Sequence, residues 1–547
     1  MKRFLTPLLM ALAALTLASC NNPQKMAEAA DQIQINCTPE VLEVVAGEIK
    51  AEVMVTFPAD YFQPKYTLTL TPVIVYEGGE VAGEPFVYQG EKIADNFKTV
   101  SKKNGATIRE SVHFNYVPGM EKCRLVARAK VNDGKKDYTY PADIRIADGA
   151  NTTYMLAGKN GIFELIPDEY EEISSETAEA QILYLVNSAE VRQSQIKSND
   201  MEDFVDIIGQ MSTDPRSKVK GTQIIAYASP EGDVKHNNDL STNREKSAKQ
   251  AFDKLTKKVN TGEVKTRSIG EDWEGFRDLV QNSSIEDRDL ILRVLSMYSD
   301  PNVREREIRN LSSVYQSLAN SILPELRRAR FITTVEYTNY SEAELKDLLE
   351  NNITELDEDA LLRVATLVKG DARYAAYDQA IKKYNSDRAK YNAACISLKS
   401  KDIARAESYL AKLKDPNTPK VKNLQGVIAL RKDNLDEATR LFTAAGDEGK
   451  TNLGIVDLWK GDYQAAAKKL KGSKCIPEAV SLVVTGDLDG CEKMLEGHNC
   501  SKSNYIRAII AARRGKTADA KAMIEKASKS KTLAERAAKD VEFAKVK

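Results

Sequence analysis

Between Ala226 and Arg244 the chain reads AYASPEGDVKHNNDLSTNR, and here residue types and spacing come closest to a site. The guanidinium of Arg244 can hold a carboxylate through two parallel hydrogen bonds. Ser229 offers a hydroxyl but no charge, while Glu231 and Asp233 place negative charge in the same loop. Ser229, Glu231, Gly232, Asn237 and Arg244 are therefore the candidate ligand-binding residues. This is the chemistry of binding rather than of bond cleavage. No Gly-rich phosphate loop of P-loop or Rossmann form is present. Gly158-Lys159-Asn160-Gly161 lacks the terminal Lys-Ser/Thr of such a loop and reads as a turn. There is no Gly-x-Ser-x-Gly elbow, and three histidines, His113, His236 and His498, leave little scope for a Ser-His-Asp triad. No His-x-x-x-His pair or Cys-x-x-Cys cluster points to zinc. Carboxylates are numerous, but nothing singles out one pair for glycosidase chemistry. The expectation is a protein that is not an enzyme, with no cofactor and no metal.

A short apolar strand, Gly221 to Ile225, precedes these residues, and a helical pattern ending near Lys257 follows them. Counted from Ser229, Gly232 stands at +3, Asn237 at +8, Leu240 at +11, Ser241 at +12 and Arg244 at +15. This spacing resembles the peptidoglycan-binding motif of the OmpA C-terminal domain family. The resemblance implies that the residue at position 229 and Arg244 hold the diaminopimelate end of a peptidoglycan stem peptide. The family has aspartate where this chain has Ser229, so the charge that would meet the ligand's ammonium must come from Glu231 or Asp233, or is missing.

The surrounding elements fit that setting. Residues 175–340 alternate strand and helix in the order β-α-β-α-β with a late β strand. An insertion at about 270–327 opens on Trp273 and Phe276, which read as the packing face of a helical hairpin. Before it, residues 35–150 alternate apolar and polar positions. Ile49, Ala51, Val53, Val55 and Phe57 share one strand face, and Gly78-Gly79, Asn104-Gly105 and Asp133-Gly134 mark turns, which suggests a β-sandwich. Leu70 to Val75 followed by Pro85 to Gly90 resembles the N-terminal β domain of Bacteroides-type envelope proteins that place an OmpA-like domain behind it.

From 341 to 547 the chain is helical and repetitive. Five pairs of small residues recur twelve positions apart: Ala394 and Ala406, Gly426 and Ala438, Gly454 and Ala466, Ala479 and Cys491, Ala508 and Ala520. A large apolar residue follows four positions on in each, as in Phe442 and Leu470. The pattern resembles the tetratricopeptide repeat, in which small residues let two antiparallel helices approach. Second members lie 25 to 32 residues apart, shorter than the ~34 usual in that repeat. An all-α solenoid is expected, with a concave face that binds a protein partner.

The N-terminus, MKRFLTPLLMALAALTLASC, has the proportions of a signal peptide over 1–19. Leu17-Ala18-Ser19-Cys20 resembles a lipobox, which makes Cys20 the lipid attachment site and 20–34 a polar tether. Surface-exported lipoproteins of the Bacteroides type carry acidic residues soon after the cysteine; Asn21-Asn22-Pro23-Gln24 carries none, so the resemblance implies the periplasmic face of the outer membrane. Loss of Lys2 and Arg3 takes the formal charge from −1 to −3, a balance that predicts no attraction to nucleic acid. Of seven cysteines, Cys395 and Cys491 fall beside or at repeat core positions and read as buried apolar groups. The expected function is a lipid-anchored envelope scaffold whose partners are the membrane, a protein, and peptidoglycan if the motif retains its ligand. The alternative is an assembly factor for surface fibres, outer-membrane proteins or a secretion machine, with the OmpA-like domain binding protein instead.

Overall fold

Alternation of apolar and polar residues turns the first part of the chain into sheet. In the strand Glu48–Phe57, Ile49, Ala51, Val53, Val55 and Phe57 all turn inward, and none is more than 7% exposed. This computed structural model describes residues 22–285 and 287–546. The expected signal peptide, residues 1–19, and the expected lipid attachment site Cys20 lie outside the described residues. Glu48–Phe57 pairs antiparallel with Gln34–Thr38 on one side and Ala106–Asn115 on the other. A second sheet centres on Thr67–Tyr76, flanked antiparallel by Arg124–Asn132 and Phe86–Gly90. Val55 and Phe57 of the first sheet share a core with Leu68, Leu70, Ala129 and Val131 of the second. Gly105, at one of the expected turns, has a φ of +67°, and a Cβ there would strike the Phe57 carbonyl. Where a polar tether was expected, residues 23–33 fold against the sheets. Asn22 caps the helix Pro23–Glu28, and Met26, Ala27, Ala30 and Ile33 enter the same core. Their i, i+1, i+4, i+7 spacing is a short apolar stripe in an otherwise polar stretch.

The central region forms a four-stranded sheet in the order Ile173–Leu183, Arg328–Thr338, Ser217–Ala228, Glu263–Glu271. The last pair is parallel and the other two are antiparallel. The helix Val234–Leu255 makes the crossover between the parallel strands. Phe204 from the helix Asn199–Thr213 and Phe252 from the crossover helix pack on Phe331 of the sheet. Along the chain, between Glu263–Glu271 and Arg328–Thr338, come five helices among the described residues, from Trp273–Gln281 to Leu323–Leu326, with a small core of their own around Phe276, Ile291 and Leu318.

Beyond Ser341 the described chain is helical. Five helix pairs follow one another, starting with Asp387–Lys399 and Ile403–Leu410 and ending with Ser501–Arg513 and Thr517–Ala527. Each pair carries one of the five small-residue pairs, and all ten of those residues are buried. Gly426 and Gly454 are required: a Cβ would meet the Phe442 ring at 2.5 Å in one case and Leu470 at 2.6 Å in the other. Asp402, Asn434, Asp462 and Asp487 each cap the second helix of a pair by accepting from the backbone N–H three residues on. The six cysteines among the described residues are free, and burial raises Cys395 and Cys491 to about 12, which leaves both as apolar filling.

The chain divides into two compact units. One joins the residues up to Ile166 with Lys390–Lys547, so the β-rich region and the five helix pairs belong together. The other is Pro167–Ala389, which includes the helices from Glu342 to Tyr384 as well as the four-stranded sheet. Among the described residues no helix is long and apolar enough to cross a membrane.

Candidate functional site

The motif residues lie where the strand Ser217–Ala228 hands over to the helix Val234–Leu255. Asp233 is the N-cap of that helix and accepts from the His236 amide at 3.0 Å. The three polar residues of the turn, Ser229, Glu231 and Asp233, are all engaged within the protein. Ser229, only 5% exposed, donates its hydroxyl to Glu231 Oε1 at 2.6 Å. The same oxygen accepts from Arg327 Nε at 2.9 Å and forms an ion pair with its Nη2 at 2.8 Å. Asn237, in the first turn of the helix, donates to Glu271 Oε1 at 2.9 Å and to the Glu231 carbonyl at 3.3 Å. Glu271 in turn accepts from the indole N–H of Trp273 at 2.8 Å.

Arg244 is turned into the protein and is 1% exposed. Its Nε donates to the Ser188 carbonyl at 3.0 Å, Nη1 to Tyr227 at 2.9 Å and Nη2 to Leu185 at 3.2 Å. The guanidinium also lies 5.0 Å from the ring centroid of Tyr184, whose hydroxyl donates to the Arg244 carbonyl. No carboxylate among the described residues pairs with it. Burial without such a partner disfavours the charged form, and Arg244 is pulled down to about 10.

The inserted helices cover this loop. Glu305 accepts from the Gly232 amide, and Gly232 itself takes a φ of +104°. Pro230 packs with Trp273, Phe276, Ile308, Tyr315 and Leu323 around a cavity of about 10 Å³, barely enough for one water. Next to it Asp272, 2% exposed, pairs with Arg328 at 2.8 Å, caps the helix Trp273–Gln281 through the Gly275 amide and hangs on the Ala228 carbonyl by its own N–H.

All five candidate residues thus gather around one loop, but Arg244 does not reach the others' network. The acid nearest the role expected at position 229 is Glu231, and it is occupied by Arg327. Glu271, Glu305 and Arg327 were not apparent from the sequence, because they arrive from elements 34 to 96 residues away. No group of His, Cys, Asp and Glu that could hold a metal occurs among the described residues. Compared with known proteins, the chain matches no family model and no curated protein.

Proposed function

We propose that this chain is a non-enzymatic scaffold of the bacterial envelope, anchored at the outer membrane by lipid on Cys20 and facing the periplasm. Its central domain is OmpA-like and its helix pairs are tetratricopeptide-like. The domain serves the assembly of protein structures, such as surface fibres, outer-membrane proteins or a secretion machine, rather than gripping peptidoglycan. One observation carries the choice between those two ligands: Arg244 spends its donors on three backbone carbonyls at 1% exposure. A ligand carboxylate could reach it only by breaking those bonds inside a region of low dielectric. The serine at 229 and the helices over Pro230 and Gly232 support the same reading, since a loop covered by its own insertion is a built surface more than an open cleft.

Co-sedimentation of the full chain with purified peptidoglycan tests this. The wild type is expected to stay in the supernatant. Pelleting that Arg244→Lys abolishes would overturn the choice of ligand, because lysine keeps the charge and loses only the paired donors. Digestion of the peptidoglycan in the same tubes would overturn the non-enzymatic assignment.

A further inference from the structure

The segment 158–166 is not a turn. It runs along the helix pairs as a strap, held through its backbone. Three asparagines, Asn392, Asn423 and Asn452, stand on the first helices of three successive pairs, Asp387–Lys399, Pro419–Arg431 and Lys450–Lys460. They are at most 4% exposed. Asn452 accepts from the Ile162 amide at 2.8 Å and donates to the Ile162 carbonyl at 2.8 Å. Asn423 donates to the same carbonyl at 3.0 Å. Asn392 repeats the double bond at Ile166, accepting at 2.8 Å and donating at 2.9 Å. Arg431 donates twice to the Asn160 carbonyl, and the Trp459 indole donates to Gly158 at 3.1 Å.

A buried carboxamide is costly unless both its ends are bonded. A row of them at repeat spacing is a surface made to read an extended backbone, whatever its side chains. The side chains sort by parity. Asn160, Ile162 and Glu164 face outward, with Ile162 37% exposed. Phe163 is half-buried beneath Arg431, and Leu165 is half-buried. Gly161 is required, since a Cβ there would fall 2.5 Å from Val427 and its φ is +69°.

We propose that this groove is a receptor for an extended peptide segment of a partner protein, and that residues 158–166 are a built-in occupant that closes it. The partner segment would carry a small residue followed at alternate positions by two apolar ones, in the manner of Gly161, Phe163 and Leu165. The proposal rests on the scaffold reading above and names how its helical region takes a partner.

A fluorescent peptide of residues 157–166 is the probe, titrated into the full chain. Gly161→Val opens the strap. A closed groove lowers apparent affinity by the fraction of molecules that are open, so the peptide should bind the variant tighter than the wild type by on the order of 10- to 100-fold. Asn392→Ala with Asn452→Ala in the opened chain should remove that gain. A folded Gly161→Val chain that binds the peptide no better than the wild type overturns the proposal, as does binding indifferent to the asparagines. Dimers of the opened chain would make a second copy's strap the occupant and overturn the partner. Hydrogen exchange on the wild type guards against a variant that fails to fold. The Ile162 and Ile166 amides should exchange well before those of the groove helices, and equal protection would make the strap a permanent part of the core. Neither measurement needs a cellular partner or peptidoglycan, so they stand apart from whether either is captured.

Discussion

Arginine carries five N–H donors and no acceptor, so a buried guanidinium is an instrument for collecting carbonyls. Arg244 collects those of Leu185, Ser188 and Tyr227, which ties the end of one strand and the segment after another to the crossover helix. Removing it takes a donor from three part-buried carbonyls, Leu185 itself being 56% exposed, at about 1–3 kcal/mol for each acceptor that water or another bond does not satisfy. Arg244→Ala is therefore expected to destabilise Pro167–Ala389 by about 2–4 kcal/mol. Urea denaturation followed by the fluorescence of Trp273 checks this, and an unchanged midpoint would mean that the carbonyls do not depend on the guanidinium. The sequence drew these positions together and left their use open. Motif spacing put Ser229, Gly232, Asn237 and Arg244 around one loop because strand, turn and helix are local. It carried no sign that Arg244 faces Leu185 and Ser188, since backbone carbonyls look alike in every sequence. Nor could it show Arg327 on Glu231, a pair 96 positions apart.

Among the elements, the helix pairs were the most legible part of the chain. A small residue is demanded wherever two helix axes approach, and the twelve-residue interval between approaches is fixed by one turn and two short helices. The cost of violating it can be measured. Gly426→Ala puts a methyl 2.5 Å from the Phe442 ring, a contact that no rotamer of a buried ring relieves cheaply. A loss of about 1–3 kcal/mol is expected, against the usual gain from replacing a helical glycine. Gly209, in the helix Asn199–Thr213, supplies the opposite case. The nearest atom to its Cβ would be Val259 at 4.0 Å, so Gly209→Ala should stabilise by about 0.5–1 kcal/mol. Chemical denaturation of the two variants should give shifts of opposite sign, and a stabilised Gly426→Ala would mean the helices can move apart. The strap was illegible for the reason the pairs were legible. Its bonds join residues 226 to 301 apart, and its first four residues, Gly158 to Gly161, have the composition of a turn. Three asparagines, each two or three positions ahead of a repeat's first small residue, were the available signal. The helix Pro23–Glu28 was missed because a stripe of four apolar residues in a polar stretch is too short to outweigh composition.

At the scale of the molecule, sequence order and compactness part company. The β-rich region and Lys390–Lys547 form one unit although 223 residues of the other unit separate them along the chain. Part of the join is apolar: Tyr154 is 1% exposed, its ring centroid lies 5.2 Å from that of Trp459 and 6.3 Å from that of Tyr463, and Trp459, Tyr463 and Val484 pack against the core that holds Ile49 and Val53. Surface of that kind exposed to water weakens whichever half is left alone, so the two halves should unfold together. The chain's two tryptophans make this testable, since Trp459 lies in this unit and Trp273 in the other. Ile49→Ala removes a fully buried side chain from the β-rich core and should cost about 2–5 kcal/mol. In a Trp273→Phe background that loss should move the transition seen by Trp459, roughly 400 residues downstream in sequence but part of the same cooperative body. In a Trp459→Phe background the transition reported by Trp273 should stay where it was. A Trp459 signal indifferent to Ile49→Ala would separate the β-rich region from the helix pairs, and would return the molecule to the three consecutive domains that its sequence suggests.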